Sequence, residues 1–242
     1  MRKFILFLFS FTWLYAEQIY ANFDVMPVQS AKLVFKSSGV ISNINASISS
    51  TVKQGEILAS LESSDEKLGL KNAKAELQKA RVASEFASAT FMKFKKVKDV
   101  TSQQRYEETK FNYENAMAEL KRAQISVENA KNLLEKKQLR APFDGVISAK
   151  FSEIGSGVLA LNTPIFEILS YPEVKILLYI DEKHANSIKI GDEFKFKIAQ
   201  KDGSAKITLI HPTIDTRSRK FIAEAITTGF KIGSFGEGFI VK

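Results

Sequence analysis

Residues 106–134 read YEETKFNYENAMAELKRAQISVENAKNLL, and the spacing inside this stretch decides the fold. Tyr106, Tyr113, Leu120, Val127 and Leu134 recur every seven residues. Ala116, Ala123 and Ala130 follow at an offset of three, with Thr109 the one break in that row. A sustained seven-residue period draws one apolar seam along a helix and winds it left-handed around a partner. The partner lies upstream, where Leu70, Leu77, Ser84 and Phe91 run beside Ala73, Ala80, Ala87 and Phe94. Residues 63–138 hold no proline and only Gly69 among glycines, and they are rich in Ala, Lys, Glu, Leu and Gln, all strong helix formers. The period lapses at Lys98-Asp99-Val100-Thr101-Ser102, where Thr101 or Ser102 can cap a returning helix. The spacing predicts an antiparallel hairpin whose arms project about 50 Å at 1.5 Å per residue. Large residues facing alanines let the two arms approach closely, and the rod is expected to bury that one seam.

On both sides of the rod the pattern changes to short β-type runs punctuated by glycine. Upstream, residues 34–41 and 52–62 carry Gly39 and Gly55. Downstream, Leu139-Arg140-Ala141-Pro142-Phe143-Asp144-Gly145-Val146-Ile147 leads through Gly155 and Gly157 to Asn162-Thr163-Pro164-Ile165-Phe166. Gly39-Val40-Ile41 matches Gly145-Val146-Ile147, and Gly55-Glu56-Ile57-Leu58 matches the run that begins at Asn162. The chain therefore holds two half-repeats of about thirty residues, each too short to bury its own apolar face, which are expected to close on one another. Beyond them, the alternation of Phe194, Phe196 and Ile198 reads as half-buried strand.

Composition narrows the functions. With 242 residues, 45% hydrophobic and 26% charged, the chain is an ordinary folded one. The net charge of +8 comes from basic residues interleaved with acidic ones, which argues against nucleic-acid binding. The absence of cysteine excludes disulfides, thiol catalysis, thiolate metal sites and a lipidated cysteine. His184 and His211 are too few for a His-rich metal site, and Met26, Met92 and Met117 are dispersed. No nucleophile elbow, phosphate loop or HExxH pair occurs, so no catalytic residue, cofactor or metal site is expected. Residues 1–16 read as an export signal: Arg2 and Lys3, the apolar run Phe4 to Tyr15, then the small Ala16. A dozen apolar residues are short for a bilayer span, which favours cleavage over retention as an anchor.

Two half-motifs flanking an α-hairpin resemble the split biotinyl/lipoyl-like domain of periplasmic adaptor proteins, the membrane fusion proteins (HlyD and RND adaptor family) of tripartite efflux pumps. Arg140-Ala141-Pro142-Phe143-Asp144-Gly145 is the most specific element. The resemblance runs on through residues 174–196, the His211-Pro212-Thr213-Ile214-Asp215 run and Gly233 to Val241, which are similar to that family's β-barrel domain. It implies an elongated, multi-domain α+β chain: signal peptide 1–16, split lipoyl-like domain 32–62 and 139–170, helical hairpin 63–138, and β-barrel 171–242. Residues 17–31 are left as the remnant of a membrane-proximal side, and a further membrane-proximal domain is expected to be absent.

The same resemblance implies a non-enzymatic periplasmic subunit that joins an inner-membrane transporter to an outer-membrane, TolC-like channel in drug or other efflux. A resistance-nodulation-division (RND) pump is favoured over an ATP-driven (ABC) transporter, a homo-oligomer of six is suggested, and no nucleic acid is involved. Channel docking falls to the hairpin tip, at Lys93, Val97, Thr101, Ser102 and Arg105. There Lys93, Val97 and Ser102 approximate the Arg-x3-Leu-x6-Ser pattern of several members, two residues shorter. Asp215, Arg217 and Arg219 in a barrel loop are candidates for contacting the transporter or a neighbouring subunit, against the alternative of a turn with a structural salt bridge. Gly39, Gly55, Pro142, Asp144 and Gly145 are structural turns of the lipoyl-like motif. Two other readings are a stand-alone coiled-coil scaffold and a lipoyl or biotinyl carrier. The carrier reading is opposed by Ser49-Ser50-Thr51, which places no lysine at the apex where the modified residue belongs.

Overall fold

A computed structural model describes residues 18–96, 102–198 and 201–241. The elements in chain order are β1 (Gln18–Pro27), β2 (Ser30–Val34), β3 (Gly39–Ile44), β4 (Thr51–Val52), β5 (Ile57–Leu61), α1 (Ser64–Lys96) and α2 (Gln103–Glu135). There follow β6 (Gln138–Arg140), β7 (Gly145–Lys150), β8 (Gly157–Val158), β9 (Pro164–Ser170), β10 (Glu173–Asp181), β11 (Glu193–Ile198), β12 (Lys201–Asp215), β13 (Lys220–Thr228) and β14 (Phe235–Val241). Contacts divide the chain into Ala31–Ile168 and a second unit made of Met1–Ser30 with Leu169–Lys242.

In the first unit, two four-stranded sheets run in the orders β2-β9-β7-β4 and β6-β5-β3-β8. Exchanging β2–β5 with β6–β9, strand for strand, turns one order into the other, so the half-repeats are a structural pseudo-symmetry. Each half lends two strands to the other's sheet: Thr51 and Val52 pair with Val146 and Gly145, and Gly39 and Val40 pair with Val158 and Gly157. Leu58, Leu61, Ile147, Ile165, Phe166 and Ile168 fill the shared interior. Neither half could bury these side chains alone.

The rod springs from the pair β5–β6. Leu61 N–H donates to Lys137 O at 2.8 Å, and the Lys137 ammonium reaches Glu66 at 3.1 Å, so both ends of the hairpin are pinned side by side. At the start of α1 the Glu62 carboxylate accepts from Ser64 N–H and Oγ, which holds its pKa below the ordinary range. The seam follows the heptad: Ala80, Ser84, Ala123 and Val127 are buried and the rest of the two rows half-buried. Ser84 Oγ lies 3.2 Å from Met117 Sδ, and Phe91 stacks on Tyr113 at 5.3 Å and tilts against Tyr106 at 5.7 Å. Ser102 occupies the N-cap position of α2, but it serves through its carbonyl and makes no side-chain cap bond. Thr101, the other capping candidate, lies outside the described residues.

The second unit is a closed barrel in the order β1-β10-β13-β12-β11-β14. Its interior takes alternate residues, such as Ile19, Ala21, Phe23 and Val25 of β1 against Val174, Ile176 and Leu178 of β10. Within residues 17–31, expected to be a membrane-proximal remnant, Gln18–Pro27 instead form β1 of the barrel: Gln18 pairs with Val241 and Asn22 with Tyr179, closing the cylinder. Closure removes both free edges, which a β-sheet of this size otherwise exposes. At Gly236 an added Cβ would meet Lys197 O and the Phe23 ring, each at 2.7 Å, so β14 can pass close to its neighbours only without side chains there. A short 3-10 turn, Glu182–His184, follows β10. Strand β12 runs to Asp215 and shifts register between Ile210 and Ile214, leaving His211, Pro212 and Thr213 in the irregular stretch.

Candidate functional site

The described residues contain no group of three His, Asp or Glu able to hold a metal, and no described helix is long and apolar enough to cross a membrane. Interaction surfaces are therefore the candidates. The distal end of the rod presents Lys93, Ser102 and Arg105, all exposed. Arg105 lies over the Phe94 ring at 6.0 Å, so one of these cations is held by an aromatic face. Val97 and Thr101 lie outside the described residues, as does the export signal.

The barrel-loop candidates divide by role. Asp215 Oδ1 accepts from the N–H of Arg217 at 3.1 Å, the N–H of Ser218 at 2.7 Å and the Ser218 hydroxyl at 2.9 Å. These bonds, Ser218's first, hold its pKa below the ordinary carboxylate value. Asp215 thus builds the turn. Arg219 sits at φ +55° and reaches Glu182 at 3.4 Å, tying the turn to the 3-10 segment. Arg217 is exposed, and its guanidinium enters no ion pair among the described residues. All three are exposed, and Arg217 alone has no side-chain partner among the described residues.

The motif turns lock the two halves together. Gly55, at φ +83°, donates to Ala141 O at 2.9 Å, while its own carbonyl accepts from Arg140 at 2.8 Å. Asp144 accepts from Gln54 N–H at 2.7 Å, and Gly145 pairs with Val52. A Cβ on Gly39 would press the Leu61 side chain at 3.3 Å. Pro142 lies in the irregular link between β6 and β7. The apex at residues 49–51 is bonded to β7, with Ser49 N–H donating to Ile147 O at 2.8 Å and Ile147 N–H donating to Ser50 O at 3.0 Å.

One cluster escaped sequence reading. Glu224 on β13 accepts from Lys175 of β10 at 3.3 Å and faces His211 Nε2 of β12 at 3.0 Å. Burial pushes its pKa up, but the bonds from His211 and Lys175 outweigh that and leave it lowered. Only the barrel register brings these three together. A second surface, on β1 and β14, sets Tyr20 against Phe239 at 5.8 Å, with the Tyr20 hydroxyl donating to Glu237 at 2.8 Å.

Residues 29–169 match the family described as the CzcB-like, barrel-sandwich hybrid domain. Among curated proteins, the cobalt-zinc-cadmium resistance protein CzcB of Cupriavidus metallidurans is 27% identical over 190 residues. That match covers 75% of this chain and 35% of the relative, so the chain spans about a third of that protein's length. A MacA–MexA chimera carrying the Pseudomonas aeruginosa MexA α-hairpin domain superposes with a TM-score of 0.68 at 20% identity, covering 93% of this chain and 81% of the chimera. The membrane fusion protein Spr0693 of Streptococcus pneumoniae R6 gives a TM-score of 0.68 at 14% identity, covering 93% and 98%. At these identities the structural likenesses speak for the fold. The family match, spanning both half-repeats and the rod between them, makes the chain a member of the CzcB-like barrel-sandwich hybrid family, within the membrane fusion proteins that the half-motifs resemble.

Proposed function

We propose that the chain is a non-catalytic periplasmic adaptor of a tripartite efflux system, bridging an inner-membrane transporter and an outer-membrane channel. The observation that carries this reading is the rod itself. About 50 Å of paired helix is inserted between two hydrogen-bonded strands. Such an element reaches and docks. The tip residues Lys93, Val97, Thr101, Ser102 and Arg105 would meet the channel's helices, and Arg217 on its turn would meet the transporter or a neighbour. Copies would stand in a ring, six by resemblance, with the sandwich domains as its collar and the pump supplying energy. The names of the curated relatives, cobalt-zinc-cadmium resistance and cation efflux, support metal cations as cargo, while the choice of an RND pump as the transporter rests on the resemblance alone.

Because the chain lacks cysteine, single replacements give site-specific crosslinking in intact cells. Ser102→Cys is expected to yield an adduct with the outer-membrane channel, and Thr216→Cys one with the inner-membrane transporter, each identified by mass. Folded, exported protein that forms neither adduct would overturn the adaptor reading in favour of a stand-alone scaffold.

A further inference from the structure

We infer that the sandwich unit holds a further docking site, a groove between the free edges of β2 and β6 that takes an extended acidic segment of another protein as an added strand. This site stands apart from the adaptor reading and needs neither the rod tip nor the ring. β2 ends one sheet and β6 ends the other. Between them and the last turn of α2 lies a groove of about 730 Å³, whose walls include Leu33, Val34, Leu139 and Ala141. Leu33 and Leu139 are 7% and 6% exposed, so the floor is the margin of the shared core.

Backbone geometry selects a strand as the occupant. An edge strand leaves every other residue's N–H and C=O facing outward, a template for one more strand. The two walls are pseudo-symmetry mates. Ala141 O accepts from Gly55 N–H at 2.9 Å, just as Phe35 O accepts from Leu161 N–H at 2.9 Å, so Leu33 answers to Leu139. The groove therefore offers the same kind of edge on both sides. Facing sheets stand about 10 Å apart and paired strands about 4.8 Å, so a single strand laid in the mouth comes within bonding distance of both edges. β2 has 5 residues and β6 has 3, which matches an extended segment of about the same length.

Charge selects an acidic strand. The lining holds Lys32, Lys36, Lys136 and Arg140 against Glu135 alone. Arg140 is engaged locally, bonding Glu135 at 3.3 Å and Gly55 O at 2.8 Å. The three lysines enter no ion pair among the described residues, and Lys32 only overlies the Phe151 ring at 5.9 Å. Lys36 and Lys136 stand at the same end of the groove, because Ser37 Oγ donates to Lys136 O at 3.0 Å. Edge lysines repel a second copy of the same edge, a common guard against aggregation. Beside an apolar floor they also choose a partner: a strand that alternates carboxylates with small apolar residues satisfies both.

The test uses the purified full chain and a fluorescein-labelled peptide, Glu-Val-Glu-Val-Glu-Val, read by fluorescence anisotropy. The expected result is saturable binding, with hydrogen exchange slowed at residues 30–34 and 138–140. The block peptide Glu-Glu-Glu-Val-Val-Val, and the alternating peptide N-methylated at each valine, should bind about tenfold more weakly or worse. The double variant Lys36→Glu, Lys136→Glu should lose about tenfold or more for the acidic peptide and gain affinity for Lys-Val-Lys-Val-Lys-Val. Neither lysine has a carboxylate partner to lose, so the variant's melting transition should match that of the parent chain. Equal binding of the block peptide, or displacement of the label by inorganic phosphate at the peptide's own concentration, would leave an adventitious anion site only and overturn the proposal. Absence of binding, or protection confined to another surface, would overturn it too. Self-association of the chain that the double variant abolishes would give the groove to a second copy instead.

Discussion

Replacing Ala123 by Arg probes whether the inner seam holds the rod as a rod. Ala123 is 9% exposed, and its counterpart Ala80 is 8% exposed at the same height. Alanine and arginine differ little in helix propensity, so neither helix should be weakened in itself. The arginine must instead force the seam apart, an overpacking that costs about 1–3 kcal/mol. Toward the tip, the arms are held by Ser84 against Met117, Phe91 against two tyrosines, and Phe94 against Arg105. Aromatic pairs contribute about 0.5–1.5 kcal/mol each, so they cannot offset the wedge with much to spare. A loss of about 2 kcal/mol multiplies the open population of the distal rod roughly thirty-fold. Hydrogen exchange should show this as faster exchange in residues 77–96 and 103–123, with the sandwich and barrel unchanged and export abolished. Gln124→Arg, one residue along and exposed, is the control and should shift stability by less than about 0.5 kcal/mol. Equal protection in the two variants, or normal export by Ala123→Arg, would refute the reasoning.

Two glycines should respond in opposite ways. Gly69→Ala, in open space on α1, should stabilise the chain by about 0.5–1 kcal/mol, whereas Gly55→Ala, forced to φ +83°, should destabilise the sandwich by about 1–2 kcal/mol, both read by denaturant titration. Gly236→Ala should damage barrel closure, lowering the barrel's melting transition without touching hairpin helicity in circular dichroism. Glu224 has a lowered pKa, so it stabilises the fold above the ordinary value of 4.5, and that stability is lost as the pH falls below it. Glu224→Gln should therefore cost about 1–2 kcal/mol at pH 7 and flatten the acid loss of barrel stability between about pH 5 and 3, measured by melts across that range.

Legibility followed the range of each signal. The heptads of Tyr106 to Leu134 and of Leu70 to Phe91 are local, and every seam residue they name is buried or half-buried. The half-repeats could be read because Gly39 and Gly145 recur at the same place in each half, where they open β3 and β7 rather than form the turns expected of them, while Gly55 does sit in a turn at φ +83°. Strand β1 was misplaced although Ile19, Ala21, Phe23 and Val25 alternate plainly, because its partners in β14 lie more than two hundred residues away, as with Gln18 and Val241. The same distance hid the Glu224 cluster, since Lys175 and His211 meet it only through the register of β10, β13 and β12. Asp215 and Arg219 could be seen as a charged loop, but whether they face a partner or their own turn depends on backbone geometry that composition does not carry.

The base explains why the rod can serve as a ruler. A free antiparallel hairpin could slip by one heptad and find alanines again, since Ala73, Ala80 and Ala87 are interchangeable as holes. Here β5 leads into α1 and α2 leads into β6, and these two strands pair, with Ile57 opposite Arg140 and Ser60 opposite Gln138. Glu66 and Lys137 repeat the constraint one step up the rod. A slip of seven residues would have to break that pairing or pull one helix about 10 Å along the other, which a base two strands wide does not permit. Height along the rod is thus set at the sandwich and carried outward by the seam. Equal height between copies, which a ring docking by its tips would require, then needs only that the sandwich domains stand level.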